Sequence, residues 1–179
     1  GVVVIRNPFN LFASRLQWVM NYAKKRGRYE KMLLAGSKFG DKRANYMGAV
    51  GWANASSVRM WADYGDSLLG NKNLVIGGEK TVYIIYDRWL TDNKYRQKIL
   101  RSIGLNYSTD IKSGVTKYGG GSSFSEKNHV DINGVLNRWR NFIDNDEYIA
   151  LFKNNARFIK TYVDVFGSAN NLILNKIIV

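Results

Sequence analysis

The first fifteen residues constrain the fold of this chain more strongly than any other segment. Residues 2–5 are four consecutive β-branched side chains, Val-Val-Val-Ile, and such a run predicts a buried parallel strand over residues 2–6. Asn7 and Pro8 then interrupt the strand, and proline is favoured in the first turn of the helix that we expect over residues 9–26. A strand that turns tightly into a helix N-terminus is a common anion-binding arrangement in α/β proteins.

Two polar side chains flank this turn. Arg6 stands at the carboxyl end of the predicted strand, and its planar guanidinium can bind a phosphate through two hydrogen bonds. Ser14 lies further along the predicted helix, where its hydroxyl could reach the same anion. The alternative interpretation is an ordinary strand–helix turn with an arginine on the surface.

The chain is strongly basic, and its charge is unevenly distributed. Its formal net charge is +13, and residues 1–43 alone contain ten Lys or Arg side chains against two acidic ones. Such a balance predicts an anionic partner: a nucleotide, nucleic acid, a sulfated or phosphorylated substrate, or an acidic membrane surface. The alternative is a solvated basic face with no dedicated ligand.

Composition sets the class of protein. The chain has 179 residues, of which 45% are hydrophobic, and this predicts a single globular domain over residues 1–179. No apolar run approaches the roughly 20 residues of a membrane span and no secretory signal pattern is present, so we expect a cytoplasmic protein. Cysteine is absent and His129 is the single histidine, which excludes thiolate and histidine-rich metal sites.

The rest of the chain combines predicted helices with one further strand, which indicates an α/β fold. In order, the predicted elements are a polar segment 28–42, a helix 44–69, a strand 81–86, a helix 93–103, a long polar loop 105–134, a helix 146–166 and an apolar tail 172–179 that forms an edge strand or docks on the domain. Thr91 or Asp92 is the expected cap of the helix over 93–103, and Gly104 would end that helix. Gly167 would end the helix over 146–166.

Four blocks of sequence, in the same order, resemble the sulfotransferases that use 3′-phosphoadenosine 5′-phosphosulfate (PAPS). In the first block an arginine ends a strand, Asn-Pro follows, and a serine comes eight residues after the arginine, as Arg6 and Ser14 do here. The remaining blocks are a strand ending in Tyr-Asp at Tyr86, a glycine-containing loop at residues 119–124, and a tryptophan segment at residues 137–140 followed by the helix ending at Gly167.

This resemblance implies a parallel-sheet, sulfotransferase-like fold with the three-layer arrangement of P-loop nucleotide-binding proteins. It implies transfer of a sulfuryl group from PAPS to an acceptor hydroxyl or amine, with PAP (the desulfated donor) as product and without an obligatory metal. Arg6 and Ser14 would hold the 3′-phosphate and Tyr86 would line the adenine site. The residues that would close over the phosphate are Gly121, Ser122 and Ser123.

The chain also departs from the family pattern. The family loop usually presents Arg-Lys-Gly, whereas this loop contains three glycines and two serines, whose amides can form a nest for phosphate, with Lys117 as the nearby charge. The family's N-terminal phosphosulfate-binding loop and general base have no counterpart here, so the fold is expected to be truncated at its N-terminus. No catalytic residue is assigned, since His129 lies in a polar loop typical of a surface histidine.

Two other interpretations belong to different classes. The chain could be a basic, non-catalytic module that binds nucleotides, polyanions or nucleic acid, for which the positive charge and the many aromatic residues are suitable. However, Trp52, Trp61 and Trp139 lie in periodic apolar segments and are expected in the core. The chain could also be a remnant that kept the sulfotransferase fold and binds PAP without turnover.

Overall fold

Two short parallel strands organise the fold. In the first of them Val3 and Ile5 are buried whereas Val2 and Val4 are each 53% exposed, so the prediction of a buried strand over residues 2–6 was wrong for one face. The computed structural model describes residues 1–25, 55–74, 81–106, 132–168 and 172–178. Strand β1, Val2–Ile5, pairs in parallel with β2, Val82–Ile85, and the register places Ile5 opposite Ile85. The predicted α/β class is therefore confirmed, with a mostly helical content and a small parallel sheet.

The helices occupy most of the described chain. They are α1 Pro8–Lys25, α2 Ala55–Leu68, α3 Tyr86–Thr91, α4 Asn93–Ser102, α5 Ile132–Leu136, α6 Asp146–Ala150, α7 Ala156–Phe166 and α8 Leu172–Ile177, with a 3-10 segment at Arg138–Phe142. The predicted cap of α4 is confirmed, because the Asp92 side chain accepts a hydrogen bond from the Tyr95 amide at 2.9 Å. Gly104 and Gly167 follow α4 and α7 with positive φ angles of 75° and 83°, as expected of glycines that end helices.

Two further details of the sequence prediction were wrong, and the structure decides between the two alternatives for the tail in favour of docking. The single helix expected over residues 146–166 is two helices, because Asn154 adopts a left-handed φ of 59° and Asn155 caps α7 by accepting from the Phe158 amide at 3.0 Å. The tail is helical rather than an edge strand, although it does dock, with its apolar face buried. Tyr86 begins α3 rather than ending the second strand.

Several predicted elements lie outside the described residues. These are the polar segment 28–42, the first part of the helix expected over 44–69, and most of the loop expected over 105–134.

The core is built largely from aromatic rings. Phe9, in the first turn of α1, meets Phe152 with ring centroids 4.9 Å apart and planes at 83°, and it meets Phe158 at 5.9 Å and 79°. These edge-to-face arrangements are favourable beyond the area that the rings bury. Trp61 and Trp139 are 5% and 8% exposed, so the prediction that they are core residues is confirmed.

Helices α2 and α7 are joined along their length by polar and close steric contacts. Arg157 of α7 forms ion pairs with Asp63 and Asp66 of α2, at 2.6 Å in each case. The Thr161 hydroxyl donates to Asp66 at 2.7 Å. On the same interface, Gly65 of α2 has no room for a side chain, because a Cβ there would lie 2.5 Å from Thr161 Cγ2.

We expect Arg157→Met to lower the free energy of unfolding by about 0.5–1 kcal/mol at neutral pH, since solvent screens the half-exposed arginine. Hydrogen bonds from Lys72 and Arg157 lower the pKa of Asp63. The stabilisation that the ionised carboxylate provides is therefore lost as pH falls through this lowered pKa. Urea unfolding at pH 7 and near pH 2 tests this, because the difference from wild type should vanish in acid. A difference that persists in acid would assign the effect to packing of the arginine stem.

None of the helices in the described ranges is both long and apolar enough to cross a membrane.

Candidate anion-binding site

The parallel register brings Arg6 and Tyr86 together. Because Ile5 is opposite Ile85, the next residue of each chain segment, Arg6 and Tyr86, leaves the sheet at the same edge. The Arg6 Cζ atom lies 4.8 Å from the centroid of the Tyr86 ring, a cation–π contact. The backbone carbonyl of Arg6 accepts a hydrogen bond from the Trp61 indole at 2.9 Å. The aromatic core therefore fixes the backbone of Arg6, and Tyr86 orients its side chain.

Ser14 is reached by a second arginine. Arg138, in the 3-10 segment, is 6% exposed, and its Nη1 donates to Ser14 Oγ at 3.0 Å. The side chain of Asn10 holds this segment against α1. Its Nδ2 donates to the Leu136 carbonyl at 2.6 Å, and its Oδ1 accepts from the Trp139 backbone amide at 3.3 Å. Buried hydrogen bonds thus fix the segment that carries Arg138.

Three guanidinium groups form an arginine cluster, defined here as Arg6, Arg15 and Arg138. Burial, and then the positive charge of Arg6, lower the pKa of Arg15 and of Arg138 from their usual values. An arginine nevertheless remains protonated in proteins. The cluster therefore concentrates positive charge on partly desolvated groups, an arrangement that favours an anionic ligand.

Asp87 adds a carboxylate beside the cluster. Its Oδ1 accepts a hydrogen bond from the Asn7 amide at 3.4 Å. Burial raises the pKa of Asp87 above its usual value, while the Asn7 amide and the charge of Arg6 act in the opposite direction. An anion bound at Arg6 would therefore meet repulsion from Asp87 whenever that carboxylate is ionised.

The N-terminal amides of α1 are already occupied. The Asn7 side-chain oxygen accepts from the Phe9 amide at 3.0 Å and from the Asn10 amide at 3.4 Å, and Pro8 has no amide hydrogen. These amide donors of the helix N-terminus are therefore paired within the chain. Binding at this turn depends on the side chains of Arg6, Ser14 and their neighbours.

Arg6 retains hydrogen-bonding capacity at a buried atom. Within the part of the chain that the structure describes, no acceptor lies within hydrogen-bonding distance of its Nε. Buried donors in proteins are normally paired with protein groups, water or a ligand. An anion at the cluster would satisfy this donor.

A cavity of about 400 Å³ lies beside the cluster, within the range of small-molecule sites. Arg6 and Arg15 contribute to its wall, together with Met60, Trp61 and Tyr64 of α2. It therefore combines apolar and aromatic surface with two cationic groups.

The structure brings three of the six predicted cofactor-binding residues into one neighbourhood: Arg6, Ser14 and Tyr86. Gly121, Ser122 and Ser123 lie outside the described residues, as do Lys117 and His129. The sequence analysis missed Arg138. It assigned residues 137–140 to a tryptophan segment and gave Arg138 no role. An arginine directly before a tryptophan expected in the core was the available signal.

The described side chains at this site offer guanidinium and hydroxyl donors, which are groups that proteins use to bind phosphate. No group of three His, Cys, Asp or Glu residues able to hold a metal ion occurs among residues 1–25, 55–74, 81–106, 132–168 and 172–178.

Comparisons of the chain with protein-family models, with curated proteins and with solved structures each returned no match.

Proposed function

We propose that this protein is a PAPS-dependent, sulfotransferase-like protein whose arginine cluster binds the 3′-phosphate of PAPS or PAP. The observation that carries the proposal is the shared neighbourhood of Arg6, Ser14 and Tyr86, three residues selected for that ligand from the sequence motifs and their order. Arg6 follows β1 and Tyr86 follows β2, and ligands of parallel α/β sheets bind where the carboxyl ends of the strands meet.

Each residue has a defined role in this proposal. Arg6 binds the phosphate with its guanidinium, including the buried Nε, and Ser14 contributes one hydrogen bond through its hydroxyl. Arg6 covers one face of the Tyr86 ring, so the adenine base contacts the opposite face or the edge. Gly121, Ser122 and Ser123 would close over the phosphate.

Sulfuryl transfer requires a site for the polyanionic donor, a base for the acceptor, and positive charge near the bridging oxygen. The residues named above serve the first requirement, and they bind the donor by the end remote from the reacting sulfuryl group. Binding energy from such a remote group can position the donor for attack by an acceptor hydroxyl or amine. Donor binding and sulfuryl transfer are therefore separate measurements for this chain.

The first experiment is a calorimetric titration of the purified chain with PAP, using 5′-AMP as the ligand that lacks the 3′-phosphate. We expect saturable binding of PAP and binding of 5′-AMP that is at least about tenfold weaker, because a charged hydrogen-bonded group is missing. Equal affinity for the two ligands, or no binding of PAP, would contradict the proposed 3′-phosphate site.

The second candidate function is binding of nucleic acid by a basic, non-catalytic module. The concentration of positive charge in residues 1–43 favours it. A fluorescence titration with single-stranded DNA at several salt concentrations tests this candidate. Affinity that falls steeply with salt, together with no preference for PAP over 5′-AMP, would favour the nucleic-acid module over the sulfotransferase-like protein.

Asp87→Asn should strengthen PAP binding about two- to fivefold at neutral pH, since it removes a partly buried negative charge beside Arg6. Asparagine keeps an oxygen that can accept from the Asn7 amide. Because burial raises the folded-state pKa of Asp87, ionisation of this group opposes folding, and wild-type stability should increase as pH falls through that raised pKa.

Calorimetry and chemical unfolding of both proteins at pH 7 and pH 5 test these expectations. Unchanged PAP binding by the well-folded variant would place the phosphate away from Asp87, and weaker binding would contradict repulsion between the two.

A further inference from the structure

We infer that Arg138 binds the same phosphate as Arg6, so that two guanidinium groups on different segments grip one anion. The inference rests on the proposed function and adds a ligand residue to it. Arg138 and Ser14 are directly bonded, at 3.0 Å between Nη1 and Oγ. An anion that accepts a hydrogen bond from Ser14 is therefore within reach of Arg138.

The electrostatics of the cluster link the two arginines. Burial lowers the pKa of Arg138, the charge of Arg6 lowers it further, and Tyr86, whose ring lies against Arg6, acts in the opposite direction. Cationic groups repel each other, and an anion that binds both guanidinium groups would offset that repulsion. The buried hydrogen bonds of Asn10 fix the backbone that carries Arg138, so little ordering is needed when the anion binds.

Two converging guanidinium groups distinguish between classes of phosphate. A terminal phosphomonoester carries a charge of about −1.5 to −2 at neutral pH and has three free oxygens. A phosphodiester carries one negative charge and has two free oxygens. The additional oxygen and charge can occupy the second guanidinium, so Arg138 would contribute more to binding of the monoester than of the diester.

Arg138 could instead act as a positioning residue that only orients the Ser14 hydroxyl. Arg138→Gln separates the two roles, because glutamine keeps an N–H donor for Ser14 but lacks the charge and the planar guanidinium. Arg140→Gln is the matched control. Arg140 lies two residues away in the same 3-10 segment, is exposed, and contacts the Trp139 ring.

The experiment compares 3′-AMP with cyclic 3′,5′-AMP, which share the adenosine and differ in having a monoester or a diester at the 3′ oxygen. Calorimetry is performed with wild type, Arg138→Gln, Arg138→Lys and Arg140→Gln, and thermal unfolding checks the fold of each. We expect wild type and Arg140→Gln to prefer 3′-AMP by about tenfold or more. Arg138→Gln should lose about tenfold in affinity for 3′-AMP and little for the cyclic diester, with Arg138→Lys intermediate.

Each adverse outcome has a distinct meaning. If wild type prefers 3′-AMP and Arg138→Gln matches Arg140→Gln, Arg138 does not bind the phosphate and the inference fails while the proposed function stands. If wild type binds neither 3′-AMP nor PAP, both fail. If glutamine prevents folding, the lysine variant decides, because full retention of the monoester preference without a planar guanidinium would overturn the inference.

Discussion

Arg6→Ala should raise the dissociation constant for PAP by roughly a hundredfold, which corresponds to about 3 kcal/mol. The substitution removes a charged group capable of two hydrogen bonds to one phosphate, and Arg138, which lies on another segment, does not replace the donors of Arg6. The backbone of residue 6 should stay in place, because the Trp61 indole donates to its carbonyl, which alanine retains. The affinity for 5′-AMP should change little, so the PAP preference itself disappears.

Two controls make this result specific. Arg101→Ala removes one positive charge from an exposed position in the last turn of α4, and it should leave the PAP affinity within about twofold. Ser14→Ala should have a smaller effect than Arg6→Ala, because a single hydroxyl contributes one hydrogen bond. A dissociation constant unchanged in Arg6→Ala would remove Arg6 from the site.

Gly65→Ala should destabilise the protein by about 2–3 kcal/mol, the effect of inserting a methyl group into a filled interface. The new Cβ would lie 2.5 Å from Thr161 Cγ2, far inside van der Waals contact. Thr161 is 2% exposed and its hydroxyl donates to Asp66, so the side chain cannot rotate away without leaving a buried polar group unpaired. Either α2 and α7 separate or this hydrogen bond breaks.

A double variant distinguishes this steric effect from a change in helix propensity. Thr161→Ser removes Cγ2 and keeps the hydroxyl, so it should recover at least half of the stability lost in Gly65→Ala when free energies of unfolding are measured in urea. Alanine is the better helix former, so propensity alone would make Gly65→Ala stabilising. A stable single variant would show that α2 and α7 shift apart without penalty.

Local sequence patterns predicted the start of the site because its first residues are close in the chain. The β-branched run forms β1, Pro8 opens α1, and Ser14 lies inside that helix, as expected from residues within one short segment. Tyr86 was selected from the order of motifs. The parallel register then explains its position, since Ile5 and Ile85 are partners and the following residues leave the sheet together.

Contacts between distant segments could not be predicted in the same way. Arg138 and Ser14 are 124 positions apart, and their hydrogen bond depends on how the 3-10 segment packs on α1. Periodicity also gave one helix over residues 146–166, because aromatic residues continue at helical spacing through the break. The predicted helix is divided by the left-handed conformation of Asn154 and by the Asn155 side chain, which accepts a hydrogen bond from the first turn of α7.

Under the proposed function, the hydrogen bond from Trp61 to the Arg6 carbonyl would couple selection for stability to selection for ligand affinity. Trp61 stacks on Phe166 and packs against Phe158. Because Trp61 also donates to the Arg6 carbonyl, the position of Arg6 depends on how α2 and α7 pack together. A substitution in that aromatic layer would then shift the arginine without touching the ligand. In a lineage of related chains, those positions would vary together with the site and would be mistaken for binding residues by covariation alone.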